Sequence, residues 1–162
     1  MIYILDSNAL MEPNRTYYAF DLAPSFWEWL SSSSLEGRVA SIDRVKDEVS
    51  AGKGDLVEWV NGLRESFWLP ETAESVASAT EIARWANNPD RIYRREAIDE
   101  FMGSADLQII AHAKAVAGVV VTRETSDPNS RKRVKIPDVC KAFSVAWTSP
   151  TDAYRQLGLR LC

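Results

Sequence analysis

Histidine and cysteine are nearly missing from this chain: one His and two Cys stand among 162 residues. Cys140 and Cys162 make no disulfide framework, and a core of this size needs neither disulfides nor a structural metal. Such sparse cysteine use predicts a reducing, cytoplasmic setting. With a single histidine, no Ser-His-Asp or Cys-His arrangement is available. His112 falls mid-helix, roughly 120° around from Asp106 on a 3.6-residue helix, and reads as a packed or surface side chain. Long apolar runs are missing too. None approaches the ~20 residues of a membrane span, and no basic leader precedes the first strand-like segment, so neither insertion nor secretion is expected. Positive charge is in deficit, with 19 Lys and Arg against 23 Asp and Glu. The resulting net charge of −4 excludes a grip on nucleic acid by the whole surface.

What remains is an ordinary globular composition, 46% apolar and 26% charged, that suits one domain over 1–162. Strand-like runs alternate with helical ones, which predicts an α/β fold with a mainly parallel sheet flanked by helices. Ile2 to Leu5, Val39 to Ile42, Val119 to Thr122 and Val145 to Trp147 read as strands, the last at an edge. Phe67 to Pro70 is a brief extended piece. Leu22, Phe26, Trp29 and Leu30 fall on one helical face, and Ser31 to Ser34 is expected to end that helix. Thr72 and Ser104 are predicted N-caps, and Gly118 a left-handed stop. Trp27 and Trp85 are the tryptophans expected to be exposed, towards a partner. The other helical tryptophans read as core.

Four acids then stand out by position: Asp6, Glu48, Asp106 and Glu124. Asp6 closes the first strand and Glu124 follows the Val119 to Thr122 strand, so both belong at the carboxyl edge of the sheet, where ligands bind in open parallel folds. Asp106 lies in the first turn of its helix. Glu48 is one short helix past the second strand, with Asp43 and Asp47 as competitors. Carboxylates gathered together repel and raise one another's pKa unless a cation neutralises them. A hard divalent ion, Mg²⁺ or Mn²⁺, takes oxygen ligands of this kind and serves phosphodiester hydrolysis. Between Val120 and Lys141, six basic residues face three acids. This basic lip beside an acidic centre is compatible with a polyanion.

The residues Ile-Leu-Asp-Ser-Asn, Val-Lys-Asp-Glu-Val, Ser-Ala-Asp-Leu-Gln-Ile-Ile-Ala-His-Ala and Val-Val-Val-Thr-Arg-Glu, in this order and spacing, resemble the PIN domain. That family includes the VapC-type ribonuclease toxins of toxin–antitoxin pairs. Tyr17 to Leu30 and the element Ile136 to Cys140 are similar to a PIN-like subfamily carried as a domain of unknown function. The resemblance implies a three-layer sandwich and a cytoplasmic, Mg²⁺- or Mn²⁺-dependent endoribonuclease. Asp6, Glu48 and Asp106 would be metal ligands and Asn8 a supporting polar residue. The fourth acid falls at Glu124 or Asp127, with Asp138 able to enter the site. Arg123, Arg131, Lys132, Arg133 and Lys135 would meet RNA phosphates. An antitoxin and a homodimer partner are implied in the same way.

Two other readings stand beside this one. A PIN-like module can bind RNA or a protein without cutting, in keeping with the negative net charge. A phosphatase or receiver domain around a strand-end aspartate is disfavoured, because Asp6-Ser7-Asn8 lacks a second acid two residues on.

Overall fold

Residues 1–161 are described by a computed structural model. Three short, mainly apolar runs form the middle of the sheet: β1 (Tyr3–Leu5), β2 (Val39–Ile42) and β4 (Val119–Val121), each buried at every position. Burial on both faces is what parallel strands covered by helices require. The edges are β3 (Trp68–Leu69) and β5 (Ala146–Thr148). All pairings are parallel, in the order β3-β2-β1-β4-β5, with Ile4 opposite both Ala40 and Val120. The chain first works outward on one side of β1 and then returns to build the other side. The strand order therefore reverses between β1 and β4, and a crevice opens beyond their carboxyl ends.

Nine helices flank the sheet among the described residues, giving an α/β three-layer sandwich. They are α1 (Ser7–Arg15), α2 (Pro24–Leu35), α3 (Asp43–Ser50), α4 (Asp55–Gly62), α5 (Ala73–Asn87), α6 (Arg95–Gly103), α7 (Ala105–Val116), α8 (Ile136–Ala142) and α9 (Pro150–Gln156). The central helix is α7, which packs on β1, β2 and β4 and against α3, α5, α6 and α8. Its Leu107, Ile109, Ile110, Ala111 and Ala113 are all buried, as a helix surrounded by neighbours demands. His112 is buried with them, its Nδ1 2.7 Å from the Gln108 carbonyl, a structural bond within the helix. No helix is long and apolar enough to cross a membrane.

The predicted caps are present. Thr72 and Ser75 exchange hydrogen bonds as a capping box at α5, and the Ser104 hydroxyl accepts the Asp106 N–H at α7. Three local expectations need correction. First, α2 does not stop at the serines. It runs through them to Leu35, because Ser33 and Ser34 are buried and the Ser32 hydroxyl donates back to the Glu28 carbonyl at 3.0 Å. Leu22 lies ahead of this helix and is 72% exposed, so the apolar face is carried by Phe26, Trp27 and Leu30 instead.

Second, Trp27 is interior. Its ring stacks on Phe20 at 4.1 Å and meets Trp59 edge-on, while its indole N–H donates to the Tyr18 carbonyl at 2.7 Å. A helix packed into an aromatic cluster on two sides buries residues beyond one stripe. Trp85 is half-buried, with Tyr93, Phe143 and the Arg91 guanidinium around it.

Third, the left-handed residue that ends α7 is Ala117, at φ 53°, and not Gly118. Gly118 serves a different need. A Cβ there would lie 3.1 Å from the Ile2 carbonyl oxygen, from Ile2 Cγ2 and from Ile4 Cδ1, where α7 turns tightly into β4. The two positions should respond oppositely to substitution. Ala117→Gly is expected to raise stability by about 0.5–1 kcal/mol by relieving the αL penalty. Gly118→Ala is expected to lower it by about 1–3 kcal/mol through crowding of the β1–β4 pair. Urea unfolding midpoints would check both.

Candidate functional site

Three elements deliver acids to the crevice. Asp6 is the N-cap of α1, its Oδ1 accepting the Ala9 N–H at 2.7 Å. Its own N–H bonds to the Val121 carbonyl at 3.2 Å, which holds it against the end of β4. Asp6 is 4% exposed. Asp106 comes from the first turn of α7, directed by the Ser104 cap. Glu48 comes from α3 and reaches both of the others' helices. The Ser7 hydroxyl of α1 donates to its Oε2, and the Ala105 N–H of α7 donates to its Oε1 at 3.0 Å. The three acids line a cavity of about 180 Å³ together with Ser7, Asn8, Glu100, Ser104 and Arg133. The competitors of Glu48 are elsewhere: Asp43 faces a separate cavity near His112, and Asp47 does not line this one.

Burial dominates the electrostatics. It pushes Asp6 up to about 6, even though the Thr122 side chain and the Ala9 N–H favour its charged form, and Glu124 and Glu48 raise it further. Burial likewise pushes Asp106 up to about 7, with the Glu124, Asp6 and Glu48 charges adding to the effect and Arg133 opposing it. The acids therefore feel one another. Among the described residues, no Lys or Arg forms an ion pair with Asp6, Glu48 or Asp106.

Glu124 behaves differently. It is near enough to influence both aspartates but does not line the cavity. Its Oε1 is 3.1 Å from Arg133 Nε, and its Oε2 accepts the Ile136 N–H at 3.3 Å. Arg133 also approaches Glu100 at 3.8 Å. Asp138 is occupied in closing the loop after β4, accepting the Ser126 hydroxyl and the Asp127 N–H at 3.0 Å. Neither Asp138 nor Asp127 lines the cavity.

Of the basic residues, only Arg133 lines the cavity. Arg123 pairs with Glu12 at 3.2 Å and borders a different, larger cavity. Arg131 and Lys132 are exposed, and Lys135 precedes α8 as its N-cap. Sequence reasoning missed Ser7, Thr122 and Glu100. Ser7 and Thr122 carried a faint signal, each adjoining a strand end that holds an acid. Glu100 carried none. Cys140 is a buried thiol pushed up to about 12 by burial, and Cys162 lies outside the described residues.

The expected gathering is therefore partial. Among the described residues, no three His, Cys, Asp or Glu side chains are close enough to hold a metal ion as they stand. Glu48 is engaged by two protein donors and Glu124 by an arginine. The donor chemistry nonetheless fits a hard cation. The set is all oxygen, three of its members lack a counter-charge, and each carboxylate has more lone pairs than the protein fills.

The two shifted acids give a pH dependence with a definite sign. The folded state holds more protons than the unfolded one between 3.8 and about 7, so their stabilising effect is complete at acid pH and declines as pH rises through about 6 and 7. In chelator, unfolding free energy should fall over that range, with Asp6 alone contributing on the order of 3 kcal/mol. Asp106→Asn should flatten the decline, as measured by denaturant titration at a series of pH values.

Comparison with curated proteins found no match, and comparison with solved structures found none. One family matches residues 3–161, which covers β1, the three acids, the loop after β4 and α9. The chain thus belongs to the family described as a domain of unknown function, DUF4411.

Proposed function

We propose that this protein is a metal-dependent endoribonuclease. The observation that carries the reading is that Asp6, buried, and Asp106, partly buried, are both pushed up by burial and by neighbouring carboxylates, and line one cavity with Glu48 while forming no ion pair among the described residues. A charge arrangement that disfavours its own ionisation is what a cation-binding or catalytic pocket looks like before a ligand arrives. Asp6, Asp106 and Glu48 would hold Mg²⁺ or Mn²⁺, with Glu124 as the outer acid. Such an ion supplies charge neutralisation and an activated water for phosphodiester hydrolysis.

The chain's own groups have separate tasks in this reading. Ser7 and the Ala105 N–H fix Glu48, and Thr122 orients Asp6. Arg133, on the cavity wall, offers N–H donors to a phosphate oxygen, for which a guanidinium is well shaped. Asn8, also on the wall, would orient a carboxylate. The resemblance to the PIN domain extends the proposal to the toxin of a toxin–antitoxin pair, with RNA as substrate and a small antitoxin as partner.

Asp6→Asn and Asp106→Asn should each reduce Mn²⁺-dependent cleavage of single-stranded RNA by about 10²-fold or more, the range of losses seen when groups stabilising developing charge are removed. Both variants should remain folded, and more stable than the parent above neutral pH. Unchanged cleavage in either would sink the assignment. For the toxin role, expression of the parent chain should arrest growth and expression of Asp106→Asn should not.

The Glu124–Arg133 pair and the spread of the acids favour a second reading, a module that binds RNA or a protein without cutting it. Calorimetric titration with Mn²⁺ separates the two. The nuclease should show saturable, site-specific heat that is lost in Asp106→Asn, and the module none.

A further inference from the structure

A second cavity is larger than the acidic one. It measures about 570 Å³ and lies between α1, the turn after it and α9, within the size range of ligand sites. Asn8 lines both cavities, so they meet at the first turn of α1. The chain after β4 diverges at the same boundary. Arg123 borders the large cavity, while the next residue, Glu124, turns to Arg133 on the wall of the acidic one.

The chemistry of the walls is distinct. Tyr17, Tyr18 and Tyr154 line the cavity, with Arg123 and Arg155 beside them. Tyr17 is 87% exposed, an arrangement that no packing in the structure accounts for. Tyr154 is buried, its ring edge-on to Phe26 and Trp29, and its hydroxyl has no hydrogen-bond partner. Both arginines are held only by exposed pairs, Arg123 with Glu12 at 3.2 Å and Arg155 with Asp152 at 3.0 Å. Pairs of that kind are weak and readily exchanged for a phosphate.

We propose that this cavity seats the nucleoside next to the phosphodiester held at the acidic pocket, with Tyr17 stacking on the base and Arg123 and Arg155 meeting flanking phosphates. The proposal rests on the ribonuclease reading for the identity of the strand. A stacking platform flanked by cations, adjoining a phosphate-sized acidic pocket, matches how single strands are held without base-edge readout.

Binding is tested apart from cleavage. A short, fluorescently labelled single-stranded RNA with 2′-O-methyl riboses, and the same strand bearing an abasic position, are titrated in chelator and read by anisotropy. Tyr17→Ala should weaken the intact strand roughly 5- to 150-fold, the equivalent of one base stack, and leave the weaker abasic complex unchanged. Arg123→Ala and Arg155→Ala should weaken both strands and each reduce the salt slope by roughly 1. If Tyr17→Ala and Arg155→Ala bind like the parent, or if the parent binds neither strand, the nucleoside site is overturned. Equal weakening of intact and abasic strands by Tyr17→Ala would also overturn it. Cleavage of unmodified RNA by the parent in Mn²⁺ reports on the nuclease separately. Cleavage without a Tyr17 effect removes the cavity and spares the enzyme, and a Tyr17 effect without cleavage does the reverse.

Discussion

Desolvation of carboxyls brought to one crevice, with their mutual repulsion added to it, is the constraint from which the rest follows. A parallel sheet whose order reverses at β1 puts the ends of β1 and β4 side by side. The helix starts at Ser7 and Ala105 face the same crevice. Apolar burial of β1, β4 and α7 provides the driving force to form that crevice, at roughly 25 cal/mol per Å² of surface removed from water. Asp6 and Asp106 are carried in with it. Their burial is tolerated only through hydrogen bonds, partial protonation, or neutralisation by something that binds.

The protein answers the repulsion unevenly. Glu124 is compensated by Arg133, and Glu48 by a hydroxyl and a helix N–H. Asp6 keeps its cap bonds and Thr122. Asp106 has the least relief, only a distant contribution from Arg133, and its acidity is pushed the furthest. The charge problem is thereby concentrated on the residue nearest the start of the central helix. On the other side of α1 the chemistry changes to tyrosines and lightly paired arginines.

Most of the architecture was legible in the sequence because its elements carry unambiguous local signals. Short apolar strand-like runs and Thr72 and Ser104 as caps each reflect one local preference, and the structure obeys them. Errors arose where a neighbour overrode the local signal. Serines end helices when solvated, but here two are buried under packing and α2 continues. Trp27 lies off the apolar stripe, yet the aromatic cluster surrounds the helix on that side as well. Glycine is the usual αL residue, but Gly118 was needed for close approach, so the positive φ moved to Ala117. In the site, strand-end logic found Asp6 and the order of motifs found Asp106 and Glu48. Glu124's commitment to Arg133, and Asp138's to the loop, depend on side-chain directions that sequence spacing does not encode.

Asp6 begins α1 as well as bordering the crevice, and these two duties share one carboxyl group. Its Oδ1 holds the first turn of that helix, which also borders the tyrosine-lined cavity. Truncation to alanine would fray the helix and strip the crevice at once, confounding loss of chemistry with loss of order. Asparagine keeps the cap and discards only the charge, since the two side chains are near equals at helix starts. A single nine-residue helix thus borders both cavities, and its cap is one of the acids.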